Sequence, residues 1–143
     1  MAESATLAMA AKSREYKAKG IDVISLSLGE PDFKTPQHIQ EGAKAAIDEG
    51  KYFAYPPVNG YADLREAISE KFKKENGLDY GPEQIVVSNG AKQSLSNIFQ
   101  SILNSGDEVI VFSPFWVSYS AQIELAGATP VYLKGGIEHD FKV

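Results

Sequence analysis

The feature that most restricts the fold of this chain is its alternation of short apolar runs with helical patterns from Gln84 onward. Residues 85–87 form a strand-length apolar run that stops at Ser88, Asn89 and Gly90. A helical pattern follows at once, with Leu95, Ile98, Phe99, Ile102 and Leu103 at spacings of three and four. Gly106 and Asp107 turn the chain into a second run at 108–112, a helix is predicted over about 116–125, and a third run occupies 129–133 after Gly127. This β-α-β-α-β order predicts an α/β sheet whose parallel neighbours are joined by right-handed crossovers.

The first half is less regular. Residues 5–19 are rich in Ala, Lys and Glu and stop at Gly20, which predicts a helical arm. Residues 21–28 alternate, with Ile24, Leu26 and Leu28 between Ser25 and Ser27, which predicts a short strand. After the turn-rich GEPDFKTP, Thr35 as hydroxyl cap and Pro36 at the first position predict a helix with Ile39, Ala43, Ala46 and Ile47 on one face, ended by Gly50. The loop KYFAYPPVNGY leads to a helix from about 62, with Leu64, Ala67, Ile68 and Phe72 as its apolar face and Gly77 as its stop.

Composition narrows the function classes. The 143 residues have the length of about one domain, enough to bury ~68–70% of the unfolded chain's surface if they form one unit. A net charge of −5 argues against nucleic acid as the main partner. With no cysteine there is no disulfide, no thiolate metal site and no cysteine nucleophile. No apolar run approaches the ~18 residues of a membrane span, and the N-terminus carries Glu3 and lacks a basic lead, so it reads as helix and not as a signal peptide. A cytoplasmic protein is the default expectation. His38 and His139 have no ligand spacing, and no metal site is expected.

Two corners carry the chemistry. A helix N-terminus has unpaired N–H groups and about half a positive charge, and a glycine there lets a ligand come close. The corner of Gly90, Ala91 and Lys92 is therefore a candidate anion seat, phosphate being the usual occupant. The plainer reading, that Gly90 only makes the turn, stands beside it. Neither G-x-G-x-x-G nor the P-loop spacing occurs, which disfavours a dinucleotide or triphosphate. The second corner is SPFWVSY, where Phe115, the single tryptophan Trp116 and Tyr119 open a helix. In a parallel sheet both corners lie at the carboxyl ends of strands, where ligands of open α/β sheets bind. Together they suggest a flat, phosphorylated ligand with its phosphate at Gly90–Lys92 and its ring on the indole; core packing of Trp116 is the alternative.

These residues carry a family resemblance. The segments SLSLGEPDFKTP, the stretch 55–60 followed by LREAISEKF, IVVSNGAKQSL and DEVIVFSPFWVSY run in the order found in class I aminotransferases, the pyridoxal-phosphate enzymes of fold type I. The chain is most similar to the N-terminal portion of the aspartate/prephenate aminotransferase branch. The resemblance implies an incomplete fold type I architecture. Residues 1–50 would be an N-terminal arm, short strand and substrate-loop segment, and 51–143 the start of the large cofactor-binding α/β domain. The sequence is read as truncated, since nothing at 138–143 resembles a natural terminus.

The resemblance also implies roles. Gly90, Ala91 and Lys92 match the phosphate-holding helix start, and Trp116 matches the aromatic stacked on the pyridine ring of pyridoxal 5'-phosphate. Tyr55 matches a tyrosine that reaches the cofactor phosphate of the neighbouring subunit in a homodimer. Gly29 matches a loop glycine facing the substrate α-carboxylate. Thr6 and Lys92 resemble positions directed at the distal carboxylate of an acidic substrate. The implied reaction moves an amino group between an amino acid, aspartate- or glutamate-like, and a 2-oxo acid. The lysine that links covalently to the cofactor is expected downstream of Val143, so no catalytic residue is assigned in this chain and the 143 residues alone are expected to be inactive. Two alternatives remain: another fold type I enzyme, such as a carbon–sulfur lyase or a synthase, and a non-catalytic aminotransferase-like binding or dimerisation module.

Overall fold

The computed structural model describes residues 5–26 and 28–143. It separates into two compact units, one comprising residues up to 31 together with 90–143, the other 32–89.

The first unit opens with helix α1 (Ala5–Ala18), which ends before Gly20 as expected. Residues 21–26 follow without entering a sheet, and Ser27, inside the expected strand, lies outside the described residues. The alternation of 21–28 predicts a strand; a strand needs a ladder partner, and among the described residues this segment has none. The rest of the unit is regular. Helix α4 (Ala91–Ile102), strand β1 (Glu108–Ser113), helix α5 (Ser118–Leu125) and strand β2 (Thr129–Lys134) follow in order; α2 (Gln37–Glu49) and α3 (Ala62–Lys71) belong to the other unit. The two strands pair in parallel, in register from Glu108 opposite Thr129 to Ser113 opposite Lys134. With α5 between them they form the βαβ connection that the alternation predicted.

Burial explains the ladder. Val109 and Val111 turn one face of β1 to the helices, where Val111, Ile123 and Ala128 form the core and Phe99, Leu103 and Phe115 pack around them. Ile123 is 1% exposed. The stacked rings of Phe115 and Tyr132, 5.4 Å apart, extend this layer. The opposite face is bare: Ile110 and Phe112 are both more than half exposed, although parallel strands ordinarily have both faces covered. The five-residue apolar stripe expected on α4 is only partly used. Leu95, Phe99 and Leu103 are half-buried, whereas Ile98 and Ile102 are exposed, because the two-stranded sheet is narrower than the stripe.

The second unit holds α2 (Gln37–Glu49) and α3 (Ala62–Lys71), the latter continued by a π-helical turn at Phe72–Asn76 that Gly77 closes. Thr35 does not cap α2. Pro36 takes the cap position without a side-chain hydrogen bond, and the Thr35 carbonyl instead accepts from Gln40 Nε2 at 2.5 Å. The expected apolar face of α2 is uncovered, with Ile39 and Ile47 exposed, since no other element packs on it among the described residues. On α3, Ile68 and Phe72 are half-buried while Leu64 and Ala67 are exposed. Arg65 ties α3 to its surroundings, donating from Nη1 to the Pro82 carbonyl at 2.7 Å and from Nε to the Gly60 carbonyl at 3.3 Å.

The first strand of the expected β-α-β-α-β run, 85–87, is extended without joining a sheet: Ile85 has φ −110° and ψ 130°, and the Val87 amide donates to the Asn59 carbonyl at 3.1 Å. No strand lies beside it among the described residues to make a ladder. Gly60 permits this approach, because a Cβ there would stand 2.5 Å from Val87 Cγ2.

The loop between α2 and α3 is braced at its base. Tyr52 donates its hydroxyl to Asp63 Oδ2 at 2.8 Å, and the Tyr52 and Tyr61 rings meet edge to face at 4.9 Å. Tyr61 donates to the Ala54 carbonyl at 3.3 Å, and Lys51 Nζ stands 3.4 Å from Asp63 Oδ2. The Tyr52 hydroxyl foremost, then the Leu64 amide and Lys51, hold the Asp63 carboxyl below its ordinary value. A carboxyl with a depressed folded pKa contributes stability that is present above its unfolded pKa and lost as pH falls through the folded one. Asp63→Asn is therefore expected to lower the urea unfolding midpoint at neutral pH. The gap to wild type should close as pH falls below the ordinary aspartate range; a gap independent of pH would rule out the ionised carboxylate as its source.

Candidate functional site

The corner that opens α4 has a backbone that glycine alone adopts readily. Gly90 has φ 82° and ψ 165°, a region essentially reserved for glycine. Its carbonyl accepts from the amides of Gln93 at 3.1 Å and Ser94 at 3.3 Å, which winds the first turn of α4. A Cβ at Gly90 would meet nothing within 4 Å, so the approach to the corner is open. The amides at the start of an α-helix have no partner within it and carry the positive end of the helix dipole. Ala91 and Lys92 supply such amides, and both residues are exposed.

The second corner is brought to the first. Lys92 Nζ lies 5.0 Å from the centre of the Trp116 ring, within the range of a cation–π contact. The indole is 40% exposed and donates from Nε1 to Ser118 Oγ at 3.0 Å. It leaves the end of β1 through a cis Ser113–Pro114 bond. Behind it a cleft of about 670 Å³ is lined by Leu95, Phe99, Phe112, Pro114, Trp116 and Tyr119 among others. That lining is mainly hydrocarbon, with the Trp116 and Tyr119 side chains bringing polar groups to it. A ligand site usually adds a few converging polar groups to its apolar wall; the amides of Ala91 and Lys92 belong to the corner and not to the cleft's lining.

The other expected residues stand apart. Thr6 lies in the first turn of α1 and is half-buried; Gly29 is exposed and has open space around its α-carbon. Among the described residues no hydrogen bond or ring contact joins either of them to the Gly90–Trp116 corner. Tyr55, in the other unit, is fully exposed on the braced loop between α2 and α3, and Phe53 and Val58 of the same loop are exposed as well. Among the described residues no group of three or more His, Cys, Asp or Glu side chains is placed to hold a metal ion, and no helix is long and apolar enough to cross a membrane.

Sequence reasoning missed Ser118 and Gln122. Gln122 donates from Nε2 to the Lys92 carbonyl at 2.6 Å and to Ser96 Oγ at 2.8 Å. The only signal was their spacing of four, which puts both on one face of α5; nothing in the local sequence indicates partners 30 and 26 residues away.

Comparison with known proteins gives one consistent answer. The family described as Aminotransferase class I and II matches residues 21–143. The aspartate aminotransferase of Bacillus sp. (strain YM-2) is 51% identical over 140 residues, which cover 98% of this chain and 36% of that protein. The aspartate/prephenate aminotransferase of Thermus thermophilus is 48% identical over 141 residues, covering 99% of this chain and 36% of the relative. Among solved structures, the aspartate aminotransferase from Thermus thermophilus with maleate superposes with a TM-score of 0.93 at 47% identity, over 100% of this chain and 37% of that one. An alanine aminotransferase from Pyrococcus furiosus gives 0.88 at 34% identity, over 97% of this chain and 36% of that one. The chain thus spans little more than a third of the length of these relatives, and its α/β fold is that of the corresponding part of fold type I aminotransferases. It belongs to the class I and II aminotransferase family.

Proposed function

We propose that this chain supplies the phosphate seat and ring-stacking face of a pyridoxal-phosphate-dependent aminotransferase, which moves an amino group between an aspartate- or glutamate-like amino acid and a 2-oxo acid in the cytoplasm. The observation that carries the reading is the 5.0 Å approach of the Lys92 ammonium, carried on the glycine-opened first turn of α4, to the Trp116 ring. The donor set suits the cofactor: backbone amides and an ammonium for a phosphate, and an indole face for a planar ring attached to it.

In this reading the amides of Ala91 and Lys92 bind the phosphate dianion through the dipole end of α4, and the Lys92 ammonium adds a full charge. Trp116 holds the ring plane, and its own N–H is occupied by Ser118, which keeps the indole from turning. A flat ring entering against the indole meets the Lys92 ammonium, to which its phosphate gives an ionic partner. Pyridoxal phosphate, when bound, supplies the electron sink that stabilises charge developing at the substrate α-carbon. Gly29 offers backbone to the substrate α-carboxylate, and Thr6 faces its distal carboxylate, the Lys92 ammonium being engaged by the phosphate. Tyr55, projecting on its braced loop, reaches the phosphate bound by a second copy in a homodimer. The covalently linking lysine is not assigned to any residue here; Lys92 would hold the phosphate and not serve as that lysine.

Because Trp116 is the only tryptophan, its emission reports on this corner alone. Pyridoxamine phosphate, which lacks the aldehyde that modifies surface lysines, is expected to quench that emission saturably. Pyridoxamine without the phosphate is expected to leave it nearly unchanged at the same concentrations. Equal responses to the two compounds, or none to either, would remove the phosphate seat from the proposal. Turnover itself is tested with a panel of amino donors on the full reading frame, with the 143 residues alone expected to give none.

A further inference from the structure

Helix α5 holds both halves of the corner. Ser118 and Gln122 are four residues apart and share a face. Ser118 accepts the indole N–H at 3.0 Å. One turn later Gln122 Nε2 donates to the Lys92 carbonyl at 2.6 Å and to Ser96 Oγ at 2.8 Å, gripping the first turns of α4. The side chain of Lys92 returns to the indole at 5.0 Å. The contacts close a circuit: Trp116 to Ser118, one turn of α5 to Gln122, Gln122 to the Lys92 backbone, and the Lys92 ammonium back to Trp116.

The orientation of the Gln122 amide follows from its partners. A backbone carbonyl only accepts, so the atom 2.6 Å from the Lys92 oxygen must be the nitrogen. Gln122 Oε1 is consequently left buried without a partner. A buried acceptor left unmatched is unfavourable, and here it accompanies a nitrogen that makes both contacts to α4.

We infer that Ser118 and Gln122 are positioning residues that fix the distance and angle between the anion-facing first turn of α4 and the plane of Trp116. This rests on the reading of that corner as the seat of a phosphorylated ring. Such a ligand has its phosphate and ring joined at a set covalent length, so it gains from having both halves of its seat held in one rigid geometry. Inorganic phosphate spans only one half and gains nothing from the alignment of the indole.

The test uses the full chain and four variants: Ser118→Ala, Ser118→Thr, Gln122→Glu and Gln122→Met. The near-ultraviolet circular dichroism of Trp116 is measured without ligand, and binding of pyridoxamine phosphate and of inorganic phosphate is measured separately. Ser118→Ala is expected to flatten the indole bands and weaken pyridoxamine phosphate about tenfold, leaving inorganic phosphate unchanged. Ser118→Thr, which keeps the hydroxyl, should restore both. Gln122→Glu sets a carboxylate oxygen against the Lys92 carbonyl and brings a negative charge to the seat, so both ligands should weaken. Gln122→Met removes the grip without the charge and carries the test if the glutamate variant unfolds; it should still reduce the indole bands. Wild-type indole bands and wild-type pyridoxamine phosphate affinity in Ser118→Ala and Gln122→Met would overturn the inference. If the wild-type chain binds neither ligand while the variants still flatten the bands, the functional reading fails and the alignment of Trp116 by α5 stands.

Discussion

Truncating Ile123 to alanine is expected to lower the unfolding free energy by about 2–5 kcal/mol, the range for removing a large aliphatic side chain from a packed core. Ile123 is 1% exposed and sits between β1 and α4, touching the layer that holds Val111 and Ala128. The loss combines the hydrophobic transfer of the missing carbons with the cavity left behind, and stabilities of whole domains are only about 5–15 kcal/mol. Equilibrium urea unfolding followed by far-ultraviolet circular dichroism measures it. Ile123→Val should cost about 0.5–1.5 kcal/mol. Truncation of Ile110, which is 58% exposed on the bare side of the same strand, should cost about 0.5 kcal/mol or less. A cost for Ile123→Ala no larger than that for Ile110→Ala would mean that the layer around Ile123 is not the core of the unit.

Replacing Gly90 by alanine is expected to weaken pyridoxamine phosphate by about tenfold or more, from a torsional cost of about 1–3 kcal/mol. The cause is not bulk, since a Cβ there meets nothing within 4 Å. An L-residue is strained at φ 82° and ψ 165°. It relaxes by rotating the backbone on either side, which turns the first amides of α4 away from the approaching phosphate. Alanine and serine should therefore behave alike, and the indole bands of Trp116 should change little, because Ser118 holds the ring from the other side. The binding titration checks this; unaltered affinity in Gly90→Ala would show that those amides do not take part in the seat.

Much of the fold was legible because its signals are local. Gly106 and Asp107 announced the turn into β1 and Gly127 the turn into β2, while of the stripe Leu95, Ile98, Phe99, Ile102 and Leu103 on α4 only Leu95, Phe99 and Leu103 became half-buried. What was not legible depends on partners distant in sequence. Alternation at 21–28 and an apolar run at 85–87 state a capacity to pair, and pairing depends on which strand lies alongside. Thr35 carries a capping hydroxyl, but the Gln40 side chain claims its carbonyl and Pro36 takes the cap position. At the site, Gly90 and Trp116 stood out by residue type and place. Ser118 and Gln122 did not, because serine and glutamine are ordinary helix-surface residues until the fold brings Lys92 and the indole to them.

The bare side of β1 has a consequence for how the chain behaves with its own kind. A ladder of two strands keeps two outer edges, each a row of backbone donors and acceptors turned away from the pair. Along β1 that row adjoins the uncovered Ile110 and Phe112. Self-association through it would be at least second order in concentration, so dilution should protect the chain while concentration drives strand-by-strand addition. A lysine at Ile110 would oppose that growth by setting like charges against one another at each added strand.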